Sequence, residues 1–203
     1  MKYEFGTAVV MVAILGAAGT ASAQAPAPTN QATAPAAVSV AVANPTYTSI
    51  VLETTVNRPA AEVWKRVGKY CDIGEWLRIA CTITAGKDGE VGAVRSVVNE
   101  VLVGKTELSY TYTQPVREGR PYDLYHGTLE ARPVTPTTSK LIYTLMYDNS
   151  MLADEAARER NKAQRTTTFT TALENMKILA EGGTLPPAPA RGGGAGGGRG
   201  RGN

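Results

Sequence analysis

The first folded stretch of the chain changes its hydrophobic period at a proline. Apolar and polar residues alternate over residues 50–56, the spacing of a β-strand. After Pro59, apolar residues recur every three or four positions as far as Val67, which predicts a short helix. Asp72 begins a second short helix, with Glu75 three residues later as in a capping box. This order indicates a fold built around a hollow.

The middle of the chain alternates with the period of a sheet. Five further strands are predicted, over residues 93–98, 100–103, 108–113, 122–132 and 141–147. Gly104 and Lys105 are expected to form the turn between two of them. The last strand has apolar residues on both faces, which indicates that it is central and covered.

A long helix is predicted from about Met151 to Glu181, with Ser150 as its cap. An apolar stripe follows its C-terminal half, and five threonines between residues 166 and 171 precede that stripe. Threonine is a poor helix former. The run therefore fits either small side chains that face a cavity or tolerated surface positions.

The N-terminal segment has the pattern of an export signal. An apolar run at residues 7–19 precedes Ala21-Ser22-Ala23, which has the form of a cleavage site. A signal peptide over residues 1–23 is expected, with a signal anchor as the alternative, and a periplasmic or secreted protein follows from it.

The remaining chain divides by composition. We predict an Ala/Pro-rich disordered linker at 24–48, a ligand-binding domain at 49–183, and a Pro/Gly/Arg-rich disordered tail at 184–203. The net charge is +3, and the tail holds three arginines, so the domain itself is close to neutral. A neutral domain has no basic field for nucleic acid, and no such partner is expected. No stable membrane span is expected after signal cleavage, and the sequence indicates no oligomeric state.

Cys71 and Cys81 are the only cysteines. In an exported chain two cysteines usually pair, so a disulfide around the second helix is predicted, with two buried thiols as the alternative. His126 is the only histidine, and no carboxylate cluster has ligand spacing, so neither a metal nor another cofactor is expected.

Five tyrosines fall within predicted strands: Tyr110, Tyr112, Tyr125, Tyr143 and Tyr147. A tyrosine offers a large apolar body and one hydroxyl, which suits a partly wet cavity. Cross-strand tyrosine ladders on the outer surface are the alternative.

The order of these elements resembles the START-like (SRPBCC) superfamily. The resemblance rests on the strand, the Pro-Ala-Ala-Glu-Val-Trp helix, the second helix ending at Trp76, Val-Gly-Ala-Val-Arg at 91–95, the meander and the long last helix. It covers residues 49–181, and the polyketide cyclase/dehydrase and lipid-transport group is the nearest branch. It implies an α+β helix-grip fold, in which a seven-stranded antiparallel sheet wraps round the C-terminal helix, two short helices follow the first strand, and a large apolar cavity lies between. Members bind lipids, sterols, polyketides or plant hormones, and some catalyse cyclisation or dehydration.

The resemblance carries over to two positions, Trp76 near the cavity mouth and Arg95 on a strand. An inward Arg95 would need a partner such as Glu107 or a ligand anion. An outward Arg95 would be an ordinary surface residue, which is the interpretation that we favour. The predicted ligand-binding residues are Trp76, Arg95, Tyr112, Tyr125, Tyr143 and Tyr147.

Three functions are compatible with the sequence. An exported carrier of a small hydrophobic ligand needs only a cavity with few polar anchors, and it is the preferred hypothesis. A cyclase- or dehydratase-type enzyme would need a general acid or base, for which His126 and Glu107 are the main candidates. An extracytoplasmic scaffold module would use the tails and leave the cavity collapsed.

Overall fold

The computed structural model describes residue 42 and residues 44–187. The predicted signal peptide, most of the predicted linker and most of the predicted tail lie outside the described residues. All described residues belong to one compact unit. Within them, no helix has both the length and the apolar content needed to cross a bilayer.

The described residues form one antiparallel sheet and three helices. The elements are β1 (Tyr47–Val56), α1 (Ala60–Val67), α2 (Ile73–Trp76), β2 (Ile83–Ala85), β3 (Val94–Arg95), β4 (Glu100–Lys105), β5 (Ser109–Thr113), β6 (Asp123–Thr135), β7 (Thr138–Asp148) and α3 (Glu155–Ala180). The strand order across the sheet is β1-β7-β6-β5-β4-β3-β2. The long helix α3 packs against β1, β7 and both short helices. The predicted α+β helix-grip fold is confirmed.

Strand β7 lies inside the sheet, as its sequence predicts, but only its inner face is fully covered. It lies between β1 and β6, and Leu141, Tyr143 and Leu145 are fully buried on its inner face. On the outer face Ile142 is also buried, whereas Met146 is exposed. The apolar residues on both faces of β7 therefore agree with a strand that is paired on both edges, with its inner face buried and its outer face partly buried.

The predicted turn at Gly104 and Lys105 is wrong, because both residues belong to β4. The register of β4 on β5 shifts between Leu102 and Gly104, so the glycine marks an irregularity within the strand. Strand β3 is also shorter than predicted. Val98 and Asn99 adopt positive φ values of 54° and 57°, which ends the strand and turns the chain tightly into β4.

Helix α3 begins later than predicted. Its cap is Asp154, whose side chain accepts a hydrogen bond of 2.7 Å from the Ala157 N–H. The predicted cap, Ser150, instead donates from its hydroxyl to Asp148. The threonines at 167, 168, 170 and 171 are exposed, which favours the surface interpretation of that run.

The predicted disulfide is present. Cys71 and Cys81 are bonded with their Cα atoms 5.5 Å apart, and α2 lies in the loop that they close. This bond fixes the segment after α1 to the segment before β2.

Candidate functional site

The six predicted ligand-binding residues all lie in the interior between the sheet and the helices. Each is at most 2% exposed: Trp76, Arg95, Tyr112, Tyr125, Tyr143 and Tyr147. The strand period places the tyrosines on the inner face, so outer-surface tyrosine ladders are excluded at these positions.

The interior tyrosines form a continuous cluster, to which we refer as the tyrosine cluster. Its members are Tyr70, Tyr110, Tyr112, Tyr122, Tyr125, Tyr143 and Tyr147. Neighbouring ring centroids are 6.1 Å apart for Tyr112 and Tyr125 and 5.9 Å apart for Tyr125 and Tyr147. The hydroxyls of Tyr112 and Tyr143 share a hydrogen bond of 2.9 Å. These contacts fill the space between the sheet and the helices with amphipathic tyrosine rings.

Two further features hold the centre of the cluster. Tyr143 packs on Phe169 of α3 with ring centroids 4.6 Å apart, which joins the sheet to the helix. Gly127 lies opposite Tyr112 in the β5–β6 pairing, and a Cβ at Gly127 would overlap the Tyr112 ring. The glycine therefore gives space to a tyrosine of the same chain.

Arg95 faces inward and is fully buried, so the outward placement that we favoured is wrong. Its partner is Glu100 rather than Glu107. The pairing of β3 with β4 sets Arg95 directly opposite Glu100, and the Arg95 Nε donates to Glu100 Oε2 at 2.6 Å. Arg95 Nη2 also lies 2.5 Å from that oxygen, an ion-pair contact that is not aligned as a hydrogen bond. Arg95 Nη1 donates to the Tyr70 carbonyl at 2.6 Å.

The ion pair is supported on both sides. The Arg95 guanidinium carbon lies 4.3 Å from the centre of the Tyr70 ring and 4.6 Å from that of Tyr112. Gln114 donates to the second oxygen of Glu100 at 2.7 Å. Satisfied partners on both charges are the condition under which a buried ion pair is tolerated.

Burial dominates the titration of the interior. It raises the pKa of Glu100, against the opposing effects of Arg95 and Gln114. Burial also raises the pKa of Tyr112 and of Tyr143 well above that of a free tyrosine. For Arg95 burial acts to lower the pKa, but the carboxylate of Glu100 opposes this effect and the pKa rises. The tyrosines therefore stay neutral and Arg95 stays charged at ordinary pH.

Several buried polar atoms lack an aligned hydrogen-bond partner among residues 44–187. They include the hydroxyls of Tyr70, Tyr110 and Tyr147 and the indole Nε1 of Trp76. Buried polar atoms are nearly always paired, so each of these is a potential contact for a bound molecule.

A cleft of about 450 Å³ lies beside two of these residues, Tyr70 and Tyr110, and we call it the hairpin cleft. It lies between α1 and the β4–β5 turn. Its apolar walls are Trp64, Tyr70, Leu102 and Tyr110, and Lys65, Lys69, Lys105 and Glu107 are among the polar residues around it. Trp64 and Tyr110 have ring centroids 5.6 Å apart, so the tyrosine cluster forms the inner wall of this cleft.

A second cleft, of about 300 Å³, lies between the β5–β6 loop and α3, and we call it the arginine cleft. Its lining residues include Arg120, Tyr122, Asn161, Gln164, Arg165 and Phe169. Tyr122 belongs to the tyrosine cluster, which therefore reaches both clefts.

The candidate acid–base residues are not brought together. His126 is on the outer face of β6, and its Nδ1 lies 2.9 Å from the Leu124 carbonyl oxygen. Glu107 is exposed in the β4–β5 turn at the hairpin cleft. No group of three potential metal ligands occurs among residues 44–187.

Our reading of the sequence missed Tyr70, Tyr122 and Arg165 as site residues. One signal was available for Arg165, which stands four residues before Phe169 and therefore on the same face of α3. Tyr70 lies outside the predicted strands, so its direction depends on a loop. Tyr122 is the first residue of the predicted strand at 122–132, but β6 begins at Asp123 and its register on β7 shifts between Asp123 and His126, which alternation does not report.

No protein-family model and no curated protein sequence matches the chain. Solved structures do match. An NMR structure from Thermobifida fusca has 24% identity and a TM-score of 0.56, and the match covers 68% of this chain and 97% of that one. Norcoclaurine synthase from Thalictrum flavum has 13% identity and a TM-score of 0.53, with 71% and 99% covered. The Zhui aromatase/cyclase from a Streptomyces species has 16% identity and a TM-score of 0.52, with 68% and 100% covered. These matches show that the chain has the same fold as those proteins, as the helix-grip prediction implied.

Proposed function

We propose that the protein is an exported carrier that binds a small hydrophobic ligand against the tyrosine cluster, through the hairpin cleft. The observation that carries this proposal is a largely apolar cleft whose inner wall is formed by Tyr70 and Tyr110, two tyrosines whose hydroxyls are buried without an aligned partner among residues 44–187. The similar folds of an aromatase/cyclase and of norcoclaurine synthase support a scaffold that accommodates small organic molecules.

The cleft has the composition of a small-molecule site. Such sites are mostly apolar, measure about 300–1,000 Å³, and place a few polar groups that orient the ligand. Here Trp64, Leu102 and the rings of Tyr70 and Tyr110 supply apolar contact, and polar side chains such as Ser109 lie in the same wall. An aromatic or lipid-like body with one hydrogen-bonding group fits this arrangement.

Carriage explains the site better than catalysis. His126 faces away from the cluster, Glu107 lies on an exposed turn, and Glu100 is held by Arg95 and Gln114. General acid–base catalysis requires a group within hydrogen-bond reach of the substrate. None of these three carboxyl and imidazole groups is both free and directed into the cluster.

The disulfide supports export. Stable disulfides are formed in oxidising compartments, and Cys71–Cys81 agrees with the export pattern at residues 7–23. N-terminal sequencing of protein isolated from its own cells should give a chain that begins at or near Gln24. Full-length chain recovered from the cytosol would contradict export.

The binding experiment uses the neutral fluorescent probe N-phenyl-1-naphthylamine. The chain has two tryptophans, Trp64 in the cleft wall and Trp76 beside Tyr143. In a Trp76→Phe variant, we expect saturable probe binding that quenches Trp64 emission and raises the melting temperature.

The matched variant is Trp64→Phe, in which the remaining tryptophan lies away from the hairpin cleft. We expect much weaker quenching there at equal probe binding. A signal that never saturates, with no change in melting temperature, would refute the carrier function. Equal quenching in both variants would place the probe elsewhere and refute the hairpin cleft as the site.

A further inference from the structure

The arginine cleft differs from the hairpin cleft in holding two guanidinium groups. Arg120 is at the end of the β5–β6 loop and Arg165 is on α3, and both side chains are half-buried. Within residues 44–187, neither has a nitrogen within 4.0 Å of a carboxylate oxygen, whereas seven other basic side chains do. Two half-buried positive charges without acidic partners favour an anion between them.

Among residues 44–187, each of the two arginines donates one side-chain hydrogen bond, which leaves other N–H donors available. Arg165 Nε donates to Asn161 Oδ1 at 3.2 Å, and Arg120 Nη1 donates to the Tyr122 hydroxyl at 3.2 Å. That hydroxyl in turn donates to Gln114 at 2.6 Å. A guanidinium has five N–H donors in a planar fork that matches a carboxylate. These contacts orient the two guanidinium groups and leave N–H donors for a ligand.

The wall of the arginine cleft is aromatic. The Arg165 guanidinium carbon lies 4.3 Å from the centre of the Tyr122 ring and 4.5 Å from that of Tyr147. Phe169, one helical turn after Arg165, adds an apolar surface. A ligand in this cleft therefore meets positive charge and flat apolar surface together.

The cleft volume and a nearby acid restrict the ligand further. About 300 Å³ is at the lower end of the range for small-molecule sites. Asp123 lines a small neighbouring pocket together with Arg120 and Tyr122, so a ligand of high negative charge would be repelled. A single carboxylate on one or two rings satisfies both restrictions.

We propose that the arginine cleft binds an aromatic monocarboxylate, with the carboxylate between Arg120 and Arg165 and the ring against Tyr122 and Phe169. This site is separate from the hairpin cleft. The inference goes beyond the proposed function and holds whether or not the hairpin cleft is occupied.

The test compares 2-naphthoate with 2-naphthamide, which has the same rings but no charge, by calorimetric titration of the mature protein. We expect the acid to bind and the amide to bind much more weakly. Arg165→Gln and Arg120→Gln should each weaken naphthoate binding by about tenfold to a hundredfold, the effect of losing a hydrogen bond to a charged group. Added salt should weaken naphthoate binding and leave the amide unchanged.

Arg117→Gln is the matched control, because Arg117 is exposed in the same loop and its loss changes the charge equally. It should leave naphthoate binding unchanged, and melting temperatures should show that all variants fold. Arg165→Lys, which keeps the charge and removes the fork, should give an intermediate loss.

Three results would overturn the proposal. They are equal affinity for the acid and the amide, an equal loss in Arg117→Gln, and displacement of naphthoate by the same concentration of inorganic phosphate. The last would mean that the rings contribute nothing to binding. The naphthylamine titration is independent of each result, so the carrier proposal and this one can fail separately.

Discussion

Arg95 and Arg165 both place a guanidinium against tyrosine rings, at distances of 4.3–4.6 Å for the closest two rings of each. They differ in what neutralises the charge. Arg95 is fully buried on the carboxylate of Glu100, whereas Arg165 is half-buried, and its Nε donates to the amide oxygen of Asn161. The tyrosine cluster therefore contacts two kinds of guanidinium. The charge of Arg95 is buried and neutralised by Glu100, which we call the closed end, and the charge of Arg165 can be reached by a ligand, which we call the open end.

The difference separates stability from binding. A buried charge that loses its partner is left uncompensated in a low-dielectric interior, and the fold bears the cost. A half-buried charge can be solvated by water, so its loss costs the fold little. Its free donors remain available to a ligand.

Alkaline pH should disrupt both ends of the cluster together and has the largest expected effect. Burial raises the pKa of Tyr70, Tyr110, Tyr112, Tyr125, Tyr143 and Tyr147 in the folded protein. In the unfolded chain tyrosine titrates near pH 10, so the unfolded state releases its protons first. The stabilising contribution is complete below about pH 10 and is lost as the pH rises above it. We expect tyrosinate absorbance to rise in the same step in which circular dichroism reports unfolding.

The opposite result would be informative as well. Six tyrosines that ionise near pH 10 while the circular dichroism stays native would show that the cluster is open to water. The distinction between the closed and the open end would then fail.

Two substitutions should show that the two arginines differ in their contribution to the free energy of unfolding. Glu100→Gln leaves Arg95 buried without a counter-charge, and we expect a loss of about 3–5 kcal/mol in the free energy of unfolding. Arg165→Gln should cost less than about 1 kcal/mol, because its charge is partly solvated and has no acidic partner. Urea unfolding of both variants measures this contrast. Equal losses would contradict it.

The disulfide should stabilise the Arg95 end only. Cys71 follows Tyr70, whose carbonyl oxygen accepts from Arg95, so the crosslink fixes that part of the site. Replacing both cysteines by serine should lower the free energy of unfolding by about 3 kcal/mol, the chain-entropy value for so short a loop. Naphthoate affinity in the arginine cleft should not change at temperatures where the variant is folded. A change in that affinity, or no change in stability, would contradict this assignment.

The sequence predicted the fold well because periodicity carries most of it. In β6, Tyr125, Gly127 and Leu129 share the inner face as the alternation predicts, and β7 lies between two neighbouring strands. The ends of the helices and strands were predicted less accurately. The start of α3 depends on a side-chain bond from Asp154, and the turn after β4 depends on where a strand irregularity falls, neither of which alternation reports.

The site was predicted less completely. The tyrosines were identified from their strands and Trp76 from the family resemblance, but the direction of Arg95 was not identified. Strand β3 has two residues, too few for a period, and its pairing with Glu100 requires the positive φ values at Val98 and Asn99. The arginine cleft joins residues from a loop and a helix that are about forty positions apart in the sequence, and only tertiary packing brings Tyr122 and Arg165 together.

Native mass spectrometry tests the central claim, that the protein holds a small hydrophobic ligand, most directly. The mature protein would be isolated from its own cells and measured before and after incubation with N-phenyl-1-naphthylamine. The account predicts an added mass that disappears on denaturation, either from a ligand that copurifies or from one bound probe molecule. The mass of the bare chain in both samples would contradict it.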